Sequence, residues 1–356
     1  MTLRGADASV VRSAIETGDP LPGTGGFAGA VDGSLVRDVL GREPLYVDGD
    51  EWDFDPTNLA DPRPLPAGFA RGGDGERHVW SLPDPPVADS EAGLPAVREA
   101  VCGRVDALAG RDDIAVAFSG GVDSAVVATG APDAPLYVVG FPGAPDVESA
   151  VDAAAAMGRD LRVVELDHDD LLRAVPAVAR ATKRTNPMDV AIAVPLFLVG
   201  ERAAADGFDA LALGQGADEL FGGYAKVVDP ATDHRVDADT VRGAVRETVS
   251  TLPEQLPRDV LTLRAAGVEP LTPLLHDDVV GASLPLPSSL LVDGDERKVA
   301  LRRGASERLP ERVAAADKKA VQYGSYVSRE LDRLARQNGF KRRMDDHVGR
   351  YIRSLL

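Results

Sequence analysis

AVAFSGGVDSAVV, residues 115–127, governs how the rest of the chain is read. An apolar run ends at Phe118, two glycines follow, and an apolar segment resumes at Ala125. A short continuous apolar run suits a strand buried on both faces, and the segment after the glycines reads as a buried helix. Gly120 and Gly121 let the backbone turn sharply and approach a ligand with no Cβ in the way. The amides that follow open a helix, where unpaired N–H groups and the helix dipole favour an anion. Ser119 and Ser124 add hydroxyl donors, and Asp123 sets a carboxylate beside the expected phosphates. Two anions so placed repel each other, which calls for a magnesium ion between them. The Walker pattern GxxxxGK[ST] is missing, so this is not the common nucleotide loop.

Outward from this stretch the same rhythm repeats. A helix over 96–109 leads into the run at 114–118. After the glycine turn and a helix over 124–130 come LYVVGF (136–141), a helix over 146–157 and LRVVEL (161–166). Asp167 is placed to cap the next helix. Another helix covers about 189–206 and leads to DALAL (209–213). Apolar runs alternating with helices predict an α/β fold, a parallel sheet with helices on both faces, whose ligands sit at the carboxyl ends of the strands. Two glycine-bearing motifs fall at such ends, after 118 and after 213. Beyond about residue 240 the chain reads as helical, with proline-rich breaks at 252–257 and 285–287. Residues 1–80, rich in Gly, Pro and Asp, read as a small loop-rich, mostly β module, and the acidic, proline-rich 81–96 as a linker. The domain reading is therefore 1–80, a linker at 81–96, and 97–356.

SGGVDS between a buried strand and a helix resembles the pyrophosphate loop of the N-type ATP pyrophosphatases. That superfamily cleaves ATP between the α- and β-phosphates and includes GMP, NAD, argininosuccinate and asparagine synthetases. ALGQGADELFGGY (212–224) is similar to the G-E-G-[SA]-D-E-[LV]-F-G-G-Y signature of asparagine synthetases and their relatives, which other pyrophosphate-loop enzymes lack. The resemblance implies an adenine nucleotide alpha hydrolase-like sheet, a ligase that forms an acyl adenylate, and ATP and magnesium as cofactors. It assigns Phe118, Ser119, Gly120, Gly121, Val122, Asp123 and Ser124 to ATP and pyrophosphate, together with Val139, Gly140, Gly214 and Gly216. Asp123 and Asp218 would share the magnesium on the leaving pyrophosphate, and Glu219 would orient the loop. RKVALRRGASERLPERVAAADKKAVQYGS (297–325) resembles the family's K-x-x-L-R…L-P…K region. There a lysine steadies charge on the α-phosphate; a count from Leu309-Pro310 lands on Lys318, with Lys319 beside it.

The chain departs from the family in three places. The family opens with an exposed cysteine that hydrolyses glutamine, whereas this chain begins Met1-Thr2 and its one cysteine, Cys102, is internal. Without a thiolate no glutaminyl thioester forms. LVRDVLGREPLYV (35–47) nevertheless resembles a stretch of the glutaminase half, R-D-x-x-G-x-x-P-L-Y, which points to a shortened, inactive remnant. Free ammonia, or ammonia from a separate glutaminase, is then the nitrogen source. Gln215 stands where the family carries a catalytic glutamate, and an amide cannot take a proton from an attacking ammonium. In GVEPLTPLLHDD (267–278), Leu271 and His276 replace the family's arginine and aspartate. His276 reads as a polar surface residue. Aspartate to asparagine is the default reaction. The alternatives are another carboxylate on the same adenylation chemistry, or a nucleotide-binding regulatory subunit without turnover.

Composition sets the outer limits. The 356 residues are 44% hydrophobic, ordinary for a globular protein. A net charge of −18 argues against nucleic acid as a partner. The longest apolar stretch, Val190–Gly200, is about half a bilayer span and contains Pro195, so it reads as a buried helix and no membrane role is expected. One cysteine allows no disulfide framework, and no signal peptide is apparent, so a cytoplasmic location is expected. Only six of the 39 basic residues are lysines. Scarce lysine with abundant acid suits concentrated salt, where screening shortens to about 3 Å near 1 M; a GC-rich coding sequence with a soluble surface accounts for it equally well. The basic run Lys341–Arg343 reads as a solvated helix face.

Overall fold

A computed structural model describes residues 2–316 and 321–356. The chain forms two compact units, and neither is continuous. One comprises 1–109, 214–257 and 272–308; the other comprises 110–213, 258–271 and 309–356.

The first unit opens with the short strand β1 (Leu3–Arg4) and the helix α1 (Ala8–Thr17), which ends at Gly18 in the left-handed region. Seven strands follow: β2 (Ala28–Val31), β3 (Ser34–Arg37), β4 (Tyr46–Asp48), β5 (Glu51–Asp53), β6 (Arg63–Pro64), β7 (Phe69–Gly72) and β8 (Gly75–His78). They form two antiparallel sheets, in the orders β1-β2-β3-β7-β8 and β5-β4-β6. Ala28, Leu45, Phe54 and Leu65 make the core of this module, which is mostly β as expected apart from α1. Residues 81–89 carry no regular structure, but they are packed: Arg246 donates to the carbonyls of Leu82 and Pro83 at 2.7 Å each. Helix α2 (Ser90–Asp106) starts six residues before the predicted position, because Asp89 caps it by accepting from the Glu91 amide.

The second unit holds the predicted parallel sheet. Strands β9 (Ile114–Ala117), β10 (Leu136–Gly140) and β11 (Leu161–Glu165) alternate with helices α3 (Val122–Gly130) and α4 (Pro145–Met157). Helices α5 (His168–Thr182) and α6 (Pro187–Ala205) then lead to β12 (Ala210–Ala212). Asp167 caps α5 as predicted, in a reciprocal capping box with Asp170. The run Val190–Gly200 lies inside α6, largely buried. Among the described residues no helix is long and apolar enough to cross a membrane.

The chain next forms α7 (Ala217–Phe221), α8 (Val241–Ser250), α9 (Leu252–Ala265) and the last parallel strand, β13 (Glu269–Leu271). The prolines at 252–257 do not break the chain: Pro253 sits in the first turn of α9, where no intrahelical N–H bond is needed, and Pro257 lies within the helix. The five strands order as β11-β10-β9-β12-β13, with every pair parallel. Alternate residues serve the two faces. Ala115, Tyr137, Val139, Leu211 and Leu213 join one large core with α5 and α6, while Val116, Leu136 and Val138 are buried outside it, on the face toward α3 and α4. Helices therefore cover both faces, an adenine nucleotide alpha hydrolase-like arrangement. Edge strand β11 departs from the expected full burial, since Val163 is 45% exposed.

Unit one is completed by α10 (Asp277–Ser283), α11 (Ser288–Leu291), the hairpin β14 (Val292–Asp293) and β15 (Glu296–Arg297), and α12 (Val299–Ala305). Unit two is completed by α13 (Glu311–Ala314), α14 (Val321–Gly324), α15 (Val327–Gln337) and α16 (His347–Ser354). The basic run at 341–343 is not helical; it lies in a turn, with Arg342 donating to Asp332 at 2.7 Å.

Candidate active site

The first motif begins where β9 ends. Phe118 is buried and its amide donates to the Tyr137 carbonyl at 2.7 Å, which anchors the strand end beside β10. Gly120 has φ +78°, and a Cβ there would lie 2.4 Å from the Ser149 carbonyl oxygen, so only glycine fits between this loop and α4. Gly121 is the N-cap of α3 and Val122 its first residue. Helix geometry leaves the first amides of α3 without intrahelical acceptors. The two hydroxyls converge: Ser124 Oγ lies 3.2 Å from Ser119 Oγ, accepts from the Ser119 amide at 3.2 Å and donates to the Gly121 carbonyl at 3.2 Å. Asp123 occupies the first turn of α3, half-buried. Such a loop can present amides and hydroxyls to a phosphate chain.

Val139 and Gly140 close β10. Gly140 is crowded, since a Cβ would come within 2.8 Å of Val147 and 3.0 Å of Ala144. The Phe141 amide donates to the Ser325 carbonyl at 3.2 Å, so the segment at 324–325 docks on this strand end.

The second motif begins just past β12, where the Leu213 amide donates to the Leu271 carbonyl at 2.9 Å. Leu271 thus ends the neighbouring strand β13, and Gly214 opens the second stretch, 214–257, of the other compact unit. Gly216 caps α7 with φ +94°, and a Cβ would stand 2.5 Å from Leu275 Cδ2. Asp218 and Glu219 follow in α7 in contrasting surroundings. Asp218 is partly exposed and takes the Lys298 ammonium on Oδ1 at 2.6 Å. Glu219 is buried and accepts from the Tyr224 hydroxyl at 2.6 Å. Burial, and after it the Asp218 charge, push the Glu219 carboxyl up to about 7, against the pull of Tyr224 and Lys298.

Two residues beyond the predicted set complete this cluster. Lys298 is buried in the left-handed region, φ 58°, at the N-cap of α12. Gly223 makes room for it: a Cβ there would fall 1.9 Å from Asp218 Oδ1 and 2.2 Å from Lys298 Cε. The Gly223 amide donates to the Asp218 carbonyl at 2.8 Å, and Arg297 Nη1 donates to the Gly223 carbonyl at 2.7 Å. Lys298 is the first residue of the K-x-x-L-R segment and one of six lysines, a signal the count to Lys318 passed over. Lys318 and Lys319 lie outside the described residues.

His276 is not free on the surface. It caps α10 by accepting from the Asp278 amide at 3.2 Å, and burial, then Arg104, lowers its pKa. The adjacent Asp277 is the deeply buried member of the pair.

The structure therefore gathers the predicted residues into two groups. Phe118 to Ser124, with Val139 and Gly140, lie in one compact unit. Gly214 to Glu219 lie in the other, with Gln215 half-buried between its glycines. Asp123 and Asp218 belong to different units. Among the described residues no group of three or more His, Cys, Asp or Glu is placed to hold a metal. Magnesium on a nucleotide commonly needs only one or two carboxylates, the phosphates and water completing its shell. Asp218 has one oxygen on the Lys298 ammonium and its side chain is partly exposed, which leaves its second oxygen as the one a cation would use.

Residues 1–95 are matched by no part of the family model described as asparagine synthase, which aligns with residues 96–242 and 232–350. A Methanocaldococcus jannaschii protein described as a putative asparagine synthetase [glutamine-hydrolyzing] is 28% identical over 212 residues, 50% of this chain and 39% of that protein. An asparagine synthetase domain-containing protein of Saccharomyces cerevisiae is 27% identical over 202 residues, 51% of this chain and 37% of that one. The match thus spans under half the length of either relative. A solved structure described as a predicted subunit of tRNA methyltransferase from Methanocaldococcus jannaschii covers 58% of this chain and 94% of its own at 19% identity, with a TM-score of 0.25. With both glycine motifs inside the matched region, and that region taking in well over half of the residues, the chain belongs to the asparagine synthase family.

Proposed function

We propose that the chain is an ATP-dependent amidoligase: a carboxylate attacks the α-phosphate of ATP, an acyl adenylate forms as pyrophosphate leaves, and ammonia or an amine then displaces AMP. The observation that carries this reading is the sheet order. β9 and β12 are neighbouring parallel strands, and each is followed at its carboxyl end by one of the two glycine motifs. That is the topological switch point, where open parallel sheets bind ligands.

In this reading Ser119 to Ser124 cradle the leaving pyrophosphate, Phe118, Val139 and Gly140 border the nucleotide, and Gly214 and Gly216 let the backbone approach the adenylate. Asp123 and Asp218 are the carboxylates that would hold magnesium, which supplies charge stabilisation on the departing oxygens. Lys298 fixes Asp218, and Lys318 or Lys319 steadies charge at the α-phosphate. Aspartate is the default acid and free or partner-supplied ammonia the default nucleophile. Gln215 and Leu271, in place of the family's glutamate and arginine, favour a second reading with the same adenylation but a different carboxylate.

The test is pyrophosphate release by the purified chain with ATP and magnesium in high salt, across candidate carboxylates, with and without ammonium. AMP and asparagine formed together from aspartate support the default. Pyrophosphate with another acid alone supports the second reading. ATP binding with no turnover on any acid refutes both and leaves a regulatory subunit.

A further inference from the structure

The N-terminal module, unmatched by the family model and without a nucleophilic cysteine, holds two buried arginines that reach beyond it. Arg42 is almost fully enclosed. Its Nε donates to Asp38 Oδ1 at 2.9 Å, and its Nη1 donates to the Leu275 carbonyl at 2.8 Å and pairs with Asp277 Oδ1 at 2.7 Å. Burial pulls its pKa down, and the charges of Asp38 and Asp277 more than offset the pull. Asp38 is itself locked, accepting from the amides of Phe27, Leu40 and Arg42. Asp277 Oδ2 accepts from the Thr24 amide at 2.7 Å and from its hydroxyl at 3.1 Å, while the Asp277 amide donates to the Thr24 carbonyl at 2.9 Å. Gly26, with φ +110°, leaves the space through which Arg42 passes; a Cβ there would sit 2.5 Å from Arg42 Cβ. Arg37 donates to the carbonyls of Glu43, Leu65 and Gly41, and at 3.4 Å to that of Pro253 in α9.

The grip on Leu275 has a direct continuation. The Leu275 side chain is fully buried and packs on Gly216, with no room for a Cβ between them. A rigid guanidinium fork thus holds the backbone of a residue whose side chain supports the turn at 214–219. We infer that the N-terminal module serves as a positioning element for the second glycine motif, with Arg42 as a positioning residue acting through Leu275. The inference rests on the proposed function only for its activity readout.

The experiment compares the full chain with its Arg42→Lys, Leu275→Ala and Leu275→Met variants. Arg42→Lys keeps the charge but loses the planar fork. Leu275→Ala leaves the charge network intact and removes the support, and Leu275→Met restores its volume. Amide hydrogen exchange at 214–219 should speed by at least about 10-fold in Arg42→Lys and Leu275→Ala, stay within about 2-fold at 119–124, and return toward the original rate in Leu275→Met. The turnover number for pyrophosphate release should fall by about 10-fold while the KM for ATP holds within about 2-fold. Exchange at 214–219 equal to that of the unaltered chain overturns the inference, as does a rise of the same factor at 119–124. If Arg42→Lys fails to fold, the two Leu275 variants decide. An unaltered chain that releases no pyrophosphate refutes the proposed function and leaves the exchange result to judge the positioning role.

Discussion

Replacing Lys298 by Met isolates the contact on which the acidic motif leans. The ammonium lies 2.6 Å from Asp218 Oδ1, with the lysine side chain 10% exposed and the aspartate 43% exposed. A hydrogen bond to a charged group contributes about 1.5–3 kcal/mol, and breaking a fully buried pair costs about 3–5 kcal/mol. Because Asp218 can rehydrate when its partner is removed, the lower range applies, and Lys298→Met should cost about 1–2 kcal/mol. Methionine keeps the φ 58° backbone and most of the side-chain volume, so little of that figure reflects lost packing. The assay is urea denaturation of the four members of a double-mutant cycle, Lys298→Met with Asp218→Asn, at low and high salt. A coupling energy of about 1–2 kcal/mol that shrinks only modestly with salt supports the argument. A coupling below about 0.3 kcal/mol at low salt refutes it.

Three further outcomes are expected. Gly223→Ala should destabilise by more than about 2 kcal/mol and abolish pyrophosphate release, because its Cβ would enter space held by Asp218 and Lys298; differential scanning calorimetry and the release assay check both. Glu219 has a folded pKa of about 7 against an ordinary value of 4.5, so the unfolded chain gives up this proton first as pH rises. Its contribution to stability should therefore fall between about pH 4.5 and 7, by on the order of 3 kcal/mol in all, and then level off. Glu219→Gln should remove that fall; a variant with an unchanged pH profile in urea titrations would contradict it. Gly120→Ala should weaken ATP binding by at least about 10-fold, because both the positive φ and the Ser149 carbonyl oppose a side chain there. Equilibrium dialysis with labelled ATP measures this.

The parallel sheet was legible because its strands are unbroken apolar runs; of the helices between β9 and β12, side-chain caps mark only α5 and α6, since α3 and α4 begin at Gly121 and Ala144 without one. Asp167 and the run at 114–118 were read correctly from composition and spacing alone. The glycine turn after β9 was legible because glycine at 120 is required by both conformation and crowding. Less visible were features made by contacts between segments distant in sequence. Lys298 matters through Asp218, 80 residues earlier, and Arg42 through Leu275. Neither partnership leaves a local pattern; lysine scarcity was the one signal at Lys298, and the count to Lys318 passed over it. Prolines misled at 252–257, where a first-turn position tolerates Pro253 and the helix carries Pro257. The count from Leu309-Pro310 led to Lys318, outside the described residues, while the buried lysine of the same segment lay 20 positions earlier.

The interleaving of the two compact units bears on how the chain acquires its structure during synthesis. Each unit draws on three separated stretches, and the last piece of one is 272–308 and of the other 309–356. As the chain emerges from the ribosome, β9 to β12 precede β13 and the helices that pack behind α5 and α6. Neither unit can finish its core until most of the protein has left the exit tunnel. The early segments must wait with apolar surface uncovered, the period in which misassembly and chaperone capture compete with native folding. Slow translation of the last hundred residues would lengthen that wait, and limited proteolysis of stalled chains would reveal it as sensitivity lasting late into elongation.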